Sequence, residues 1–309
     1  MSAEQPSRLK VYLAFAAIYI IWGSTYFGIK EALTGFPPFL LGGLRFLVAA
    51  ALMTAGCAIA RVPMLPRTGL WKVLLTGLLL LFLGNASVVW VQQTVPSSVV
   101  AIIIAVAPLS FTLMDKPQWG VNFRSPATLL GVLAGIVGVW LLFSSRLQLQ
   151  LAGHAGGFGL GTALVMLVAI TAWPAGSLFS KYNPVDLPNS AGSAWQMATG
   201  AVCFLTVSLF RGEPAAVEWG AIPLRAWLAL GYLVVFGSII GYSAYVWLLR
   251  VRPATQVSTY AYVNPVVAVL LGVFIGHEQL GWRELAGLLV ILGGVLLINL
   301  AKYRAGRQR

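Results

Sequence analysis

Ten long runs of apolar residues follow one another along the chain, separated by short polar connections. Each run approaches the roughly 20 residues that a helix needs to cross the hydrocarbon of a bilayer. The runs lie at 11–30, 38–60, 70–93, 96–114, 125–145, 157–180, 189–210, 224–249, 254–276 and 283–302. This pattern predicts an all-α membrane protein with ten transmembrane helices.

The two halves of the chain repeat each other at nearly constant spacing. The matched residues are Gly84, Trp90, Pro96 and Pro108 with Gly241, Trp247, Pro253 and Pro265; Trp22, Lys30 and Arg45 with Trp173, Lys181 and Gln196; and Gly131 and Gly138 with Gly287 and Gly294. Each half holds five runs, and an odd number inverts the second copy in the membrane. We therefore predict two inverted five-helix repeats, at 1–145 and 157–302, followed by a basic cytoplasmic tail at 303–309.

The distribution of Lys and Arg predicts the orientation. If the N-terminus is cytoplasmic, fourteen of the 20 cations fall on the cytoplasmic side, five fall on the opposite side, and Arg45 lies within a run. Short cytoplasmic loops carry an excess of Lys and Arg in membrane proteins. Both termini are therefore expected in the cytoplasm.

Composition excludes a soluble domain. Of the residues, 59% are hydrophobic and 9% are charged, and the mean hydropathy is +0.86. A net charge of +12 suggests a nucleic-acid partner, but the cations lie in the connections between the runs and in the tail. We therefore expect lipid and a small solute as partners, and no nucleic acid. Two isolated cysteines, two separated histidines and the lack of a catalytic motif predict no cofactor, no metal site and no enzymatic activity.

Polar and aromatic side chains recur at helical spacing inside several runs. In the ninth run Thr255, Ser258, Thr259 and Tyr262 stand at i, i+3, i+4 and i+7. Such a stripe favours a cavity or a neighbouring helix over lipid. The substrate-binding candidates are Trp22, Tyr26, Asn85, Gln92, Trp173, Ser177, Tyr242, Tyr245, Thr259, Tyr262 and Asn264. The alternative is structural, since Ser and Thr bond helix backbones, and Tyr and Trp anchor helix ends at the interface.

One cation and three prolines lie inside the runs. Arg45 is a candidate partner for a substrate carboxylate, and the alternative is a side chain that snorkels or bonds carbonyl groups. Pro108, Pro174 and Pro265 each remove a helix hydrogen bond, which predicts bent helices that act as hinges of a gate at these positions.

Four stretches resemble the EamA transporters of the drug/metabolite transporter superfamily. They are YIIWGSTYFGIKEAL at 19–33, GLRFLVAA at 43–50, VPSSVVAIIIAVAPL at 95–109 and STYAYVNPVVAVLLG at 258–272. The resemblance implies a bacterial inner-membrane protein with ten helices in two inverted repeats, a central cavity, peripheral fifth and tenth helices, and export of amino acids or similar metabolites. The Gly-Glu that usually follows the ninth helix is replaced here by Gly276-His277-Glu278, and Met114-Asp115-Lys116 stands at the matching place in the first half.

We therefore expect a secondary transporter that exports small zwitterionic or neutral metabolites by alternating access. No acidic residue falls well inside a run, which favours facilitated diffusion or exchange over proton coupling. A multidrug or toxic-compound exporter and a non-transporting membrane scaffold are the alternatives. The sequence leaves the substrate open, and both a monomer and a dimer fit it.

Overall fold

A computed structural model of the chain describes residues 7–123, 126–127, 129–131, 133–138, 141, 159–252 and 254–307. These residues form helices, turns and loops, and no strand occurs among them. The long helices are α1 (Arg8–Ala32), α2 (Pro38–Ile59), α3 (Leu70–Val91), α4 (Ser97–Met114), α5 (Leu129–Gly138), α6 (Leu160–Tyr182), α7 (Asn189–Phe210), α8 (Leu224–Val251), α9 (Ala254–Val257, then Tyr260–Phe274) and α10 (Trp282–Arg307).

Seven of these helices, α1 to α4 and α6 to α8, are long and apolar enough to cross a membrane. The remaining three contain shorter apolar stretches, at Leu129–Gly138, Val263–Phe274 and Leu285–Gly294. The chain is therefore a multi-pass membrane protein, and the count of ten spans stays a prediction.

Prolines set the start of several helices. Pro38 occupies the first turn of α2, and Pro96, Pro188 and Pro223 stand directly before α4, α7 and α8. The fixed backbone angle of proline suits the first turn of a helix, where its missing N–H leaves no bond unmade. Four of the helices therefore begin at a proline or directly after one.

Three helices contain a wider π-helical segment near their middle. The segments are Ala17–Ile21 in α1, Leu78–Gly84 in α3 and Leu233–Tyr242 in α8. A π segment changes the angular spacing of the residues that follow it and is frequent at functional sites. Trp22 and Asn85 directly follow two of these segments, and Tyr242 ends the third.

Phenylalanine rings fill the space between α2, α3 and α7. Phe204 lies with its ring centroid 5.8 Å from that of Phe46 and 5.4 Å from that of Phe82. Gly42 allows this approach, because a Cβ atom there would lie 2.2 Å from the Phe204 ring. Burial of such rings stabilises the bundle beside the cavity described below.

The repeated Trp and Gly residues contact each other across the two halves. A Cβ atom on Gly241 would lie 2.6 Å from Trp22 Nε1, and one on Gly84 would lie 3.1 Å from the Trp173 ring. The first helix of each half therefore packs its tryptophan onto the third helix of the other half. Each contact depends on the absence of a side chain at the glycine.

The glycines of α5 and α10 make a second reciprocal contact. A Cβ atom on Gly294 would lie 2.7 Å from the carbonyl oxygen of Gly131, and one on Gly138 would lie 3.1 Å from that of Gly287. Small residues let helix backbones approach closely in membranes. The pairing 131 with 294 and 138 with 287 is the exchange that a two-fold relation between the halves would produce.

Candidate substrate-binding site

A cavity lies near the centre of the helices, among α1, α2, α3, α4, α6, α8 and α9. The cavity has a volume of about 80 Å³. Seven of the predicted residues line it: Trp22, Tyr26, Arg45, Asn85, Trp173, Tyr242 and Asn264. Residues far apart in the sequence thus converge on one small hollow.

Aromatic rings form one wall of the cavity. Trp22 stands edge-on to Trp173 and to Tyr260, with ring centroids 5.3 Å apart in both pairs. The indole N–H of Trp22 donates to the carbonyl oxygen of Gly237 at 3.2 Å, which holds the ring in place. Such a wall suits an apolar side chain or an ammonium group on a small solute.

Arg45 supplies a positive charge to the cavity. The residue is 6% exposed, and its Nε donates to Ser238 Oγ at 2.8 Å. Within the described part of the chain, its terminal guanidinium nitrogens have no hydrogen-bond acceptor and it forms no salt bridge. A guanidinium with free terminal N–H groups is suited to bind a carboxylate through two parallel hydrogen bonds.

The two cavity amides differ in their bonding. With its amide nitrogen turned toward α1, Asn264 donates to the carbonyl oxygens of Tyr19 at 3.0 Å and Ile18 at 3.1 Å, where α1 has its π segment. The Asn85 amide has no partner among the described residues. Asn264 therefore fixes the helices, whereas Asn85 is available to a solute.

Four of the remaining candidates lie outside the cavity lining. Tyr245 stands behind the aromatic wall, where its hydroxyl bonds Ser177 at 2.6 Å and accepts from Trp173 at 3.1 Å. Thr259 bonds the Tyr19 hydroxyl at 2.6 Å, and Gln92 is buried near the end of α3. The side chain of Tyr262 lies outside the described residues.

Four polar or aromatic lining residues were not among the predicted site residues: Thr25, Phe46, Ser238 and Tyr260. Ser238 stands four residues before Tyr242, so helical spacing contains a signal for it. Tyr260 was missed because α9 is interrupted at Ser258 and Thr259, so the spacing that begins at Thr255 does not carry through. The predicted stripe therefore selects Tyr262 instead of Tyr260.

Two larger hollows lie at the ends of the bundle, and neither shares a lining residue with the central cavity. The first, of about 750 Å³, includes Lys72, Lys181 and Gln196; the second, of about 700 Å³, includes Lys30 and Gln92.

One hydrogen bond links the lining of the cavity to that of the first hollow. Tyr242 lines the cavity and donates at 2.8 Å to Oε1 of Gln196, which lines the first hollow. In the lining of the second hollow, Lys30 donates to the carbonyl oxygen of Gln92 at 3.1 Å and joins α1 to the end of α3.

The three prolines sit differently in their helices. α4 is interrupted at Ala105 and Val106 and resumes at Ala107, so that Pro108 lies in the first turn of the resumed helix. Pro174 and Pro265 lie inside continuous helix. Ala107 lines the cavity, so the α4 interruption lies beside the site.

Glu278, one residue beyond its usual place in the motif, caps the start of α4. Its Oε1 accepts from the N–H and hydroxyl of Ser97 at 2.8 and 2.7 Å, and its Oε2 accepts from those of Ser98 at 3.0 and 2.5 Å. Burial raises the pKa of Glu278, but the hydrogen bonds from Ser98 and Ser97 outweigh burial and hold the pKa below its ordinary value.

A second carboxylate lies at the other end of α4. Asp115 is 4% exposed and accepts from the Tyr182 hydroxyl at 2.6 Å. Glu278 thus caps the start of α4, and Asp115 directly follows its last residue.

Comparison with known proteins agrees with this architecture. The chain is 38% identical over 298 residues to the uncharacterized inner membrane transporter YedA of Escherichia coli, covering 96% of this chain and 92% of that protein. It is 24% identical over 302 residues to the uncharacterized transporter YvbV of Bacillus subtilis, covering 96% and 93%. A solved crystal structure that is 21% identical matches the fold with a TM-score of 0.68, over 97% of this chain and 99% of that one.

A family model decides the assignment. The model of the EamA-like transporter family matches the chain twice, at residues 9–144 and 160–300. These two segments cover most of the sequence and fall on its two halves. The chain, a multi-pass membrane protein with seven long apolar helices, belongs to the EamA-like transporter family.

Proposed function

We propose that this transporter exports small metabolites, amino acids or related zwitterionic or neutral solutes, by alternating access around the central cavity. The observation that carries the proposal is the pairing of a buried guanidinium with unbonded terminal N–H groups and an aromatic wall, at Arg45 and Trp22. Arg45 would bind the carboxylate, the Asn85 amide would bond a further polar group, and the rings would contact the rest of the solute.

The reciprocal contacts support two inverted repeats of five spans. Trp22 with Gly241 and Trp173 with Gly84 exchange partners between the halves. Inverted repeats commonly place the substrate near the midplane and open the site to each side in turn by rocking one bundle against the other.

The boundaries of the cavity supply candidate gates. The bond between Tyr242 and Gln196 is the candidate gate toward the first hollow, and the bond between Lys30 and Gln92 is the candidate gate toward the second. The interrupted α4 beside Pro108, and the helices that contain Pro174 and Pro265, are proposed hinges for these movements.

No carboxylate lines the cavity in the described part of the chain. Proton-coupled transporters commonly use a buried acidic or histidine side chain as the proton carrier. We therefore propose facilitated diffusion or exchange. Arg45 also repels organic cations, which favours carboxylate metabolites over the toxic cations of a multidrug exporter.

Arg45→Gln tests the proposal, since glutamine occupies the equivalent position 196. A hydrogen bond to a charged group contributes about 1.5–3 kcal/mol, so flux of a transported amino acid should fall roughly 10- to 100-fold. Counterflow in proteoliposomes with a panel of labelled neutral amino acids measures this. The wild-type protein should transport each amino acid faster than the corresponding amide, and the variant should transport both equally. Loss of stability alone does not remove this preference.

The exposed Arg67 provides the matched control, because Arg67→Gln removes the same charge away from the cavity. Equal flux of acid and amide in the wild-type protein would contradict the role of Arg45. Uphill transport driven by a pH gradient alone would contradict the proposed coupling, and the absence of any flux would favour a scaffold.

A further inference from the structure

The first hollow is lined by four cations and is called the basic vestibule below. Lys72 comes from the start of α3, Lys181 from the end of α6, and Arg250 and Arg252 from the end of α8 and the residue after it. No lining residue of this vestibule is acidic among those the structure describes. With about 750 Å³, it is far roomier than the central cavity.

None of these four cations forms a salt bridge in the described part of the chain. Arg250 donates to the carbonyl oxygen of Leu187 at 3.1 Å, and Nε of Arg252 is buried without a described partner. The nearby Asp115 attracts Lys181 but is buried against Tyr182 and is not part of the lining. The vestibule therefore concentrates positive potential where an anion has access.

Membrane orientation alone does not explain this arrangement. An excess of cations in cytoplasmic loops orients a membrane protein wherever the side chains point. Arg61 and Arg67, in the connection between α2 and α3, fit that role, since both are exposed and neither lines the vestibule. The vestibule cations instead come from three separate helix ends and surround one hollow.

The vestibule adjoins the central cavity through one hydrogen bond. Gln196 lines the vestibule and accepts from Tyr242, which lines the cavity with Arg45. Beyond the cavity, the opposite hollow is lined by Lys30 and also by the acidic Glu218. A solute that crosses the protein by this route meets a cation in each of the three compartments.

We propose that the basic vestibule binds small organic anions, so that acidic amino acids and related carboxylates are transported in preference to neutral solutes. The inference rests on the proposed function and shifts its substrate class from zwitterionic and neutral metabolites toward anionic ones. The vestibule would gather the anion, and Arg45 would bind its carboxylate after the contact between Tyr242 and Gln196 opens. The same cations would attract the phosphate of an anionic lipid headgroup, so the test separates the two sources.

The experiment compares matched acid and amide pairs on the purified full chain: glutamate with glutamine, aspartate with asparagine, and succinate with succinamide. Calorimetric titration measures binding, and counterflow in phosphatidylcholine vesicles measures flux. The acid of at least one pair should bind and cross about tenfold better than its amide. The double variant Lys181→Gln/Arg252→Gln should weaken acid binding about tenfold, whereas Lys10→Gln/Arg67→Gln, which removes two exposed cations outside the vestibule, should leave it unchanged.

Each outcome decides between the two claims. Equal handling of acids and amides, or equal behaviour of the two double variants, overturns the anion site and leaves the carrier function standing. Acid binding that depends on the vestibule cations without any flux overturns the carrier function and retains the site. An effect of the vestibule variant that requires phosphatidylglycerol in the vesicles shows that a lipid headgroup occupies the site. Absence of both binding and flux overturns both proposals.

Discussion

At the scale of single residues, the shape of the site depends on glycines, because their missing side chains leave room for neighbouring rings. Gly241 admits the Trp22 indole, whose N–H bonds the carbonyl oxygen of Gly237 on the same helix. A methyl group at position 241 would occupy the space of the indole nitrogen. The ring must then move or α8 must shift, and either change alters the aromatic wall.

We therefore expect Gly241→Ala to destabilise the protein by about 1–3 kcal/mol, the usual effect of overpacking. Gly231→Ala is the matched control, because Gly231 lies in the same helix and a Cβ there meets nothing within 4 Å. That control should be neutral or slightly stabilising, since alanine favours helix over glycine by about 0.5–1 kcal/mol. Thermal unfolding in detergent measures both, and equal melting temperatures would contradict the close contact.

Sequence patterns identified many of the site residues, and their errors have a physical cause. A charged arginine is costly in a lipid-facing position, so Arg45 was recognisable. Trp22 and Trp173 were recognisable because each stands at helical spacing with other polar or aromatic side chains. Spacing arguments assume 3.6 residues per turn throughout. π segments and the break before Tyr260 violate that assumption, and no local signal in the sequence indicates them.

At the scale of helices, Glu278 joins the end of α9 to the start of α4. It accepts four hydrogen bonds from Ser97 and Ser98, which satisfies N–H groups that a helix start leaves unpaired. A negative charge there also interacts favourably with the helix dipole. The inserted His277, with φ of 51°, turns the chain so that the carboxylate reaches these donors.

Glu278→Ala should cost about 0.5–2 kcal/mol, the range for loss of a helix N-cap. Because the pKa of Glu278 is lowered in the folded protein, its stabilising contribution is present above the unfolded-state pKa and is lost as pH falls through the folded-state pKa. Wild-type stability should therefore decline on acidification below about pH 4, and Glu278→Gln should flatten that decline. Asp186→Asn, at an exposed carboxylate, is the control, and an equal pH profile for Glu278→Gln and wild type would contradict the cap.

At the scale of the whole molecule, hydropathy predicts that the chain is a multi-pass membrane protein more readily than it predicts the number of spans. Among the described residues, seven helices are long and apolar enough to cross a membrane, and shorter apolar stretches lie in α5, α9 and α10. α9 is divided near its start, between Val257 and Tyr260. The small central cavity was also beyond prediction, because its size depends on how closely side chains from both halves approach each other.

The inverted arrangement makes a prediction about the two connections that precede the third helix of each half. Arg67 lies before α3 and Arg225 lies at the start of α8, and both side chains are exposed. Two halves related by inversion place these positions on opposite sides of the membrane, whereas parallel halves place them on the same side. In a background with Cys57→Ser and Cys203→Ser, we expect a membrane-impermeant thiol reagent to label Arg225→Cys in intact cells and Arg67→Cys only after the membrane is opened. Labelling of both cysteines in intact cells, or of neither, would exclude inverted repeats and with them the alternating access proposed for the cavity.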